Sequence, residues 1–394
     1  MTAEAVAGRR ERRYVPLAWR NLVSNKRRLV RSSAGIGFAV LLMLVQLGFE
    51  RGFFDASLGM MRELDGDLFI MRATKYRFGS EDPFALADLD PARGVAGVAS
   101  VTPLYASWQH LFWKSPADGN SYVIQGFAFD PDRPVFLIPA LNAQRDKLKA
   151  AGAVIVDRRS RGFLGMTGET GDTELNGRTV HVVGSYALGP DFMSNGTVMM
   201  SARTYAAVLA GNEAALPQLP VEFGIVKAQP GADLAAVERD LQKALGADIR
   251  VLNRPQLEAF ETAFQADLSS AGPIFWMGTI VGFVVGMLIS YQIIYTDLSD
   301  QLPQYATLKG MGYPTSYLVR IVFEQAALAA IAAFVPAWLL CLLVYRVVGY
   351  LALMPLQMTW QNTAISFALS LGMCLVSAAL AVRRVAAVDP AEVF

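Results

Sequence analysis

Histidine and cysteine are nearly absent: the 394 residues contain only His110, His181, Cys341 and Cys374. Two histidines leave little material for a histidine-built metal centre or a nucleophilic triad. Both cysteines lie inside long apolar runs, which excludes a zinc cluster or a disulfide framework and makes them small buried apolar side chains. The run G-x-x-x-x-G-K-[ST], in which backbone amides and a lysine surround phosphates together, is missing, as are H-E-x-x-H and G-x-S-x-G. The series Gly162, Gly165, Gly168, Gly171 has no lysine and reads as turn chemistry, as does Asn195-Gly196-Thr197 despite its formal match to a glycosylation acceptor. No catalytic constellation is visible, so an enzyme is not expected. Charge is scarce too, at 18% against about 25% in ordinary soluble proteins. With 35 basic and 34 acidic residues, neither sign dominates, and no nucleic-acid partner is indicated.

What is present is apolar surface: 53% of the chain is hydrophobic, more than the polar residues can cover in water. A helix needs about 20 apolar residues to cross roughly 30 Å of hydrocarbon. Four stretches qualify, and they divide the chain. A basic segment (1–31) precedes span one (32–54), and an extracytoplasmic α+β domain with stalk helices (55–271) leads to span two (272–296). A loop (297–320), span three (321–345), a short outer loop (346–360), span four (361–382) and a tail (383–394) follow. The first apolar run reads as a retained anchor rather than a signal peptide, because its basic flank is long, the run reaches spanning length and a helix-compatible pattern continues through Arg62. Residues 1–31 hold nine basic residues against Glu4 and Glu11, and Arg383-Arg384 follow span four. The distribution of lysine and arginine therefore predicts that both termini are cytoplasmic.

The far-side stretch carries 20 basic and 26 acidic residues. Strands are expected at 67–72, 101–113, 121–129, 153–156, 179–186, 197–200 and 222–227, and helices at 140–149, 201–209 and 233–245. Leu257, Phe260, Phe264 and Leu268 keep a helical apolar period into span two, while Phe49, Phe53, Leu58 and Met61 do the same leaving span one. Two outward stalk helices follow, with a joint expected at Gly272-Pro273. On the cytoplasmic side, a short helix is expected at 302–308, begun near Pro303 and stopped by Gly310 and Gly312. Residues 14–30 mix apolar residues and Trp19 with Arg20, Lys26 and Arg27, the pattern of a membrane-surface helix or of a basic anchor flank. Glu324 is expected to pair with Arg320 four residues back rather than to relay protons. His110, between Trp108 and Trp113, is a hydrogen-bonded strand histidine in preference to a haem ligand.

The run QYATLKGMGYPTSYLVRIVFEQAALAA (304–330) and the tail RRVAAVDPAEVF (383–394) resemble the paired signature of FtsX-like permeases of ATP-binding-cassette systems, the group that includes MacB. Residues 171–186 and 226–260 are similar to that group's extracytoplasmic domain. More narrowly, residues 16–49 and GFAFDPDRPVFLIP (126–139) resemble the DevC branch. The resemblance implies a type VII permease fold: four transmembrane helices with a large α+β extracytoplasmic domain between helices one and two. It implies a homodimer in the bacterial inner membrane that binds a cytoplasmic ABC ATPase dimer, with ATP and Mg held by the ATPase and no cofactor on this chain. It further implies a periplasmic membrane-fusion adaptor and a TolC-like outer-membrane channel. Coupling to the ATPase would fall on Gln301, Tyr305, Leu308, Lys309, Gly310, Gly312 and Tyr313, supported by the N-terminal helix around Trp19. Export of a lipid-like or hydrophobic substrate is the expected function; the alternative is FtsX-type signalling to a periplasmic cell-wall hydrolase.

Overall fold

The computed structural model describes residues 26–189, 194–268, 271–352 and 356–386. Two compact units are present: a β-rich one from Phe49–Ile274 with Arg346–Gln357, and a helical one from the described parts of Met1–Gly48, Phe275–Tyr345 and Met358–Phe394.

Helix α1 (Lys26–Arg62) runs from the first apolar segment into the β-rich unit. That unit is organised by one long strand. Among the described residues nine strands form, β1 (Leu68–Arg72), β2 (Val98–Lys114), β3 (Ser121–Phe129), β4 (Ala153–Asp157), β5 (Gly171–Leu175), β6 (Arg178–Tyr186), β7 (Thr197–Ser201), β8 (Phe223–Ala228) and β9 (Ile249–Asn253). The first half of β2 pairs antiparallel with β8, as in Thr102↔Ile225, and β1 lies between β8 and β9. Its second half pairs with β3, from Tyr105↔Ala128 to Lys114↔Ser121. The sheet continues through β7, β4, β6 and β5, and β5 returns to β2 at Trp113↔Leu175, closing a six-stranded ring. Closure removes the exposed sheet edges that six open strands would leave. Helices α2 (Ala202–Ala210), α3 (Leu234–Leu245) and α4 (Arg254–Ala263) begin at side-chain caps: Ser201, Asp233 and Asn253 accept from the amides of Thr204, Ala235 and Gln256.

Strand alternation sorts the β2 side chains. Leu104, Ala106 and Trp108 enter a cluster with Leu58, Met61 and Leu257 of α1 and α4, while Tyr105, Leu111 and Trp113 join a second cluster. The outer parts of α1 and α4 also meet through Arg62 and Glu258, 3.7 Å apart. Between Ser107 and Leu111 the β2–β3 register shifts, which withdraws amides from the ladder. Glu81 satisfies them: its Oε1 accepts from the amides of Trp108 (2.9 Å) and Gln109 (3.1 Å), and its Oε2 lies 2.6 Å from His110 Nδ1. His110 is thereby a carboxylate-paired bulge residue.

The structure departs from the sequence expectations at four places. Strand β5 was not expected; it forms one arm of a hairpin whose two-residue turn, Asn176 (φ 51°) and Gly177 (φ 71°), has the left-handed backbone of a type I′ turn. Strand β9 was likewise missed. The expected helix 140–149 is two short turns, Pro139–Asn142 and Arg145–Lys149, because Gln144 leaves the helical run and donates to Ser185 O (3.0 Å). The joint near span two is a π-helical turn at Phe264–Leu268, and Gly272 and Pro273 sit in the first turn of the next helix.

In the helical unit α5 (Ala271–Asp300), α6 (Leu302–Gly310), α7 (Thr315–Ala352) and α8 (Trp360–Ala386) follow. The stretches Leu29–Arg62, Gly272–Asp300, Thr315–Leu351 and Trp360–Arg383 are long and apolar enough to cross a membrane. Large apolar side chains such as Trp276, Met277, Leu288 and Leu343 point outward, as helices facing lipid require. Inside, α8 presents Ser366, Ser370, Cys374 and Ser377 as a buried seam of small residues, and Ser377 Oγ donates to Met287 O at 2.8 Å. A Cβ at Gly286 would lie 2.9 Å from that of Ala39, so α5 and α1 approach only because that position is glycine. Cys341 and Cys374 are buried and unpaired.

Among its described residues the β-rich unit buries an ion pair, Lys75 with Glu222. Lys75 Nζ lies 2.6 Å from Glu222 Oε2, both nearly inaccessible, with Lys75 also bonded to Ser80 O and 4.8 Å above the Phe223 ring. Burial pushes the Lys75 pKa down and the Glu222 pKa up, and each partner opposes the other's shift. Replacing Lys75 with Met leaves a buried carboxylate unpaired and should cost about 3–5 kcal/mol. A carboxyl with a raised folded pKa binds more protons folded than unfolded, so the deficit of Lys75→Met should shrink as pH falls toward that pKa. Lys75→Met combined with Glu222→Leu should recover most of the loss; thermal unfolding of the full chain in detergent across a pH series checks both statements.

Candidate coupling site

Helix α6 begins where α5 ends, with Pro303 in its first turn, a position that needs no amide donor. Gln301 holds the junction. Its carbonyl accepts from the amides of Gln304 (3.0 Å) and Tyr305 (3.1 Å), and its side-chain Oε1 accepts from Tyr305 Oη (3.3 Å) and Gln325 Nε2 (3.4 Å). The ends of α5, α6 and α7 are thus tied to one buried amide. Ser32 and Ile36 of α1 face the same place across a cavity of only about 30 Å³, lined also by Asp297, Gln301, Gln325 and Ala329. A gap of that size holds a water and little more. The C-terminal end of α6 closes with Met311 N to Thr307 O (3.0 Å) and Tyr313 N to Leu308 O (3.2 Å), with Gly312 at φ +87° between them. That left-handed backbone is the reason a glycine ends the helix. Tyr313 then stacks on Tyr317, ring centroids 5.1 Å apart.

The seven residues expected at this site fall into two sets. Gln301 (6% exposed) and Tyr305 (4%) face inward, so Tyr305, expected as a contact, has no surface to offer and instead braces the helix. Gly310, Gly312 and Tyr313 are exposed, and Leu308 and Lys309 are half-buried. Gln304, Thr307 and Met311 complete the outward face; Met311, 63% exposed, is the largest apolar group on it and escaped the sequence reading. Gln325 was also missed, although a lone amide at the head of an apolar span signals a needed partner. Of the N-terminal residues, Lys26 and Arg27 lie in the first turn of α1, and Trp19 and Arg20 fall outside the described residues, as does the tail from 387. Glu324 pairs with Arg320 at 2.8 Å. Among the described residues no three His, Cys, Asp or Glu side chains stand together to hold a metal ion.

An exposed helix-turn tied by hydrogen bonds to membrane-length helices, in a chain whose β-rich unit is inserted after the first of them in sequence, is a particular combination. Residues 32–244 match the MacB-like periplasmic core domain, more than half of the chain, and residues 276–390 match the FtsX-like permease C-terminal region. The chain belongs to the MacB/FtsX-like family of ABC transporter permeases. It is a multi-pass membrane protein of a family that works with an ABC ATPase. Among solved structures, the periplasmic region of MacB from Actinobacillus actinomycetemcomitans is 14% identical, covering 52% of this chain and 96% of its own, with a TM-score of 0.35. The extracellular domain of the noncanonic ABC-type transporter YknZ from Gram-positive bacteria is 13% identical, covering 48% and 99%, with a TM-score of 0.32. No curated protein matches.

For a permease of this family the inward and outward sets on α6 should behave differently. Tyr305→Ala empties a packed site and should cost about 3–5 kcal/mol of stability. Met311→Ala, on the surface, should stay within about 0.5 kcal/mol of the parent. Thermal unfolding of the two variants in one detergent checks this.

Proposed function

We propose that this chain is the permease subunit of an exporter of lipid-like or hydrophobic cargo, driven by a separate cytoplasmic ATPase dimer that docks on α6 and the turn after it. The observation that carries the reading is the division of α6 and the residues flanking it into an exposed turn bearing Met311 and Tyr313 and an inward side held through Gln301 and Tyr305. An apolar and aromatic pair on an exposed turn suits the anchor of a protein interface. Displacement of α6 would be passed on through Gln301 to α5 and α7, because a packed helix junction moves as a unit instead of deforming continuously. Two copies of the chain in the inner membrane, both termini in the cytoplasm, would each present residues 55–271 to the periplasm. An adaptor and a TolC-like outer-membrane channel would complete the route. The cargo class rests on the DevC-like stretches at 16–49 and 126–139.

The test is co-purification and ATP turnover with the cognate ATPase. Met311→Asp with Tyr313→Ala should weaken association by about 30-fold or more and abolish permease-dependent turnover, with folding unchanged. Unaltered association and turnover in that double variant would remove the docking assignment. Cysteine-accessibility reporters placed within residues 55–271 should react from the periplasmic side. A deletion strain that accumulates no cargo but fails in septation or wall integrity would assign FtsX-type signalling instead of export.

A further inference from the structure

The β-rich unit contains a cavity of about 590 Å³ unconnected with the coupling site. That volume lies within the range of small-molecule sites. Its walls combine three kinds of group. Apolar surface comes from Leu86, Pro103 and Leu216. Cations come from Arg93, Arg133, Lys149 and Arg203, against the carboxylates of Asp130 and Asp132. The third group is Tyr105, 2% exposed.

The cations are not equivalent. Lys149 is engaged by Asp132 (2.6 Å) and Asp146 (2.9 Å), and Arg93 by Asp90 (2.7 Å). Asp130 accepts from the Asp132 amide at 3.0 Å. The side chains of Arg133 and Arg203 make no ion pair or hydrogen bond among the described residues. Nor does the Tyr105 hydroxyl, although its ring is buried against Tyr205, centroids 5.8 Å apart. Unlike the Tyr186 hydroxyl, which is enclosed, the Tyr105 hydroxyl is open to the cavity and free to take a partner there. Two exposed, uncommitted arginines and an uncommitted phenol therefore line one cavity of mixed polar and apolar walls, in a stretch of chain that is acidic as a whole. Arg203 also stands in the first turn of α2, where the helix end is itself positive and a bound anion would relieve the repulsion. Sequence placed Asp130 to Arg133 inside the DevC-like stretch; the fold makes that stretch one wall of this cavity.

From this we infer that the cavity binds a small anionic amphiphile, its carboxylate or phosphate held by Arg133, Arg203 and the Tyr105 hydroxyl, and its apolar part lying on Leu86 and Leu216. Tyr105 leaves β2 on the opposite face from Leu104 and Ala106, whose cluster holds the α1 and α4 residues Leu58, Met61 and Leu257. The cavity is therefore on the face of β2 turned from those helices.

The inference is independent of ATPase docking, and binding is measured without the ATPase. The full chain, held in amphipol, is titrated calorimetrically with octanoate, octyl phosphate, octanol and octylamine. Both anions should bind at least about tenfold more tightly than the alcohol or the amine. The stronger of the two anions identifies the head group as carboxylate or phosphate. R133Q combined with R203Q should weaken the anions by about tenfold or more and leave the alcohol unchanged, and Y105F should weaken them severalfold. All three side chains are replaced by others of similar shape, and an unaltered unfolding temperature confirms that each variant is folded; Arg203→Lys, which keeps the charge, should retain most of the affinity. Equal binding of alcohol and anion, undiminished anion binding in the double variant, or no binding by any of the four would overturn the proposal, the last outcome leaving an acidic protein segment as the occupant.

Discussion

A backbone amide or carbonyl inside hydrocarbon has no water to turn to, and this requirement governs the architecture. It makes α1, α5, α7 and α8 continuous helices across their apolar stretches, and Ser377 on α8 directs its hydroxyl at the Met287 carbonyl of α5. Asn362 and Gln46 follow the same pattern, donating to Leu47 O and Phe275 O. Irregular backbone is confined to places outside those stretches, and both functional candidates lie there: the turn around Gly312 and the β-rich unit.

In the β-rich unit the corresponding device is a single strand long enough to belong to two sheets. Because β2 pairs with β8 in its first half and β3 in its second, both parts share one hydrogen-bonded spine. The bulge at 107–111 is tolerated because Glu81 supplies the acceptors the ladder withdraws. Alternation along β2 then separates two surfaces: one packs on α1 and α4, and the other carries Tyr105 into a cavity with uncommitted arginines. The coupling site is built on a similar economy of parts, with the Gln301 amide serving three helices at once.

Legibility in the sequence followed the range of the interactions. The apolar spans were readable because each is decided by its own composition. Capped helices such as α3 were readable because Asp233 and the period of Leu234, Val237 and Leu241 lie within a dozen residues. The hairpin at Asn176-Gly177 is also local, because that dipeptide alone supplies the two left-handed residues of its turn. Strand β9 and the breaking of 140–149 were not local. The first depends on β1 for its pairing, and the second on Gln144 reaching β6.

Sequence by itself determined the number and position of the membrane-length helices, the α+β character of the insertion and the short helix begun by Pro303, since burial in lipid and first-turn chemistry act through neighbouring residues. Tertiary structure decided which side of α6 is surface and which is anchor, since the burial of Tyr305 and Gln301 depends on contacts made by helices distant in the chain. It decided equally that Tyr105, Arg133 and Arg203 share a cavity. Those residues lie in segments of the chain that approach only once the sheet has closed, and no local pattern records a meeting that the ring of strands creates.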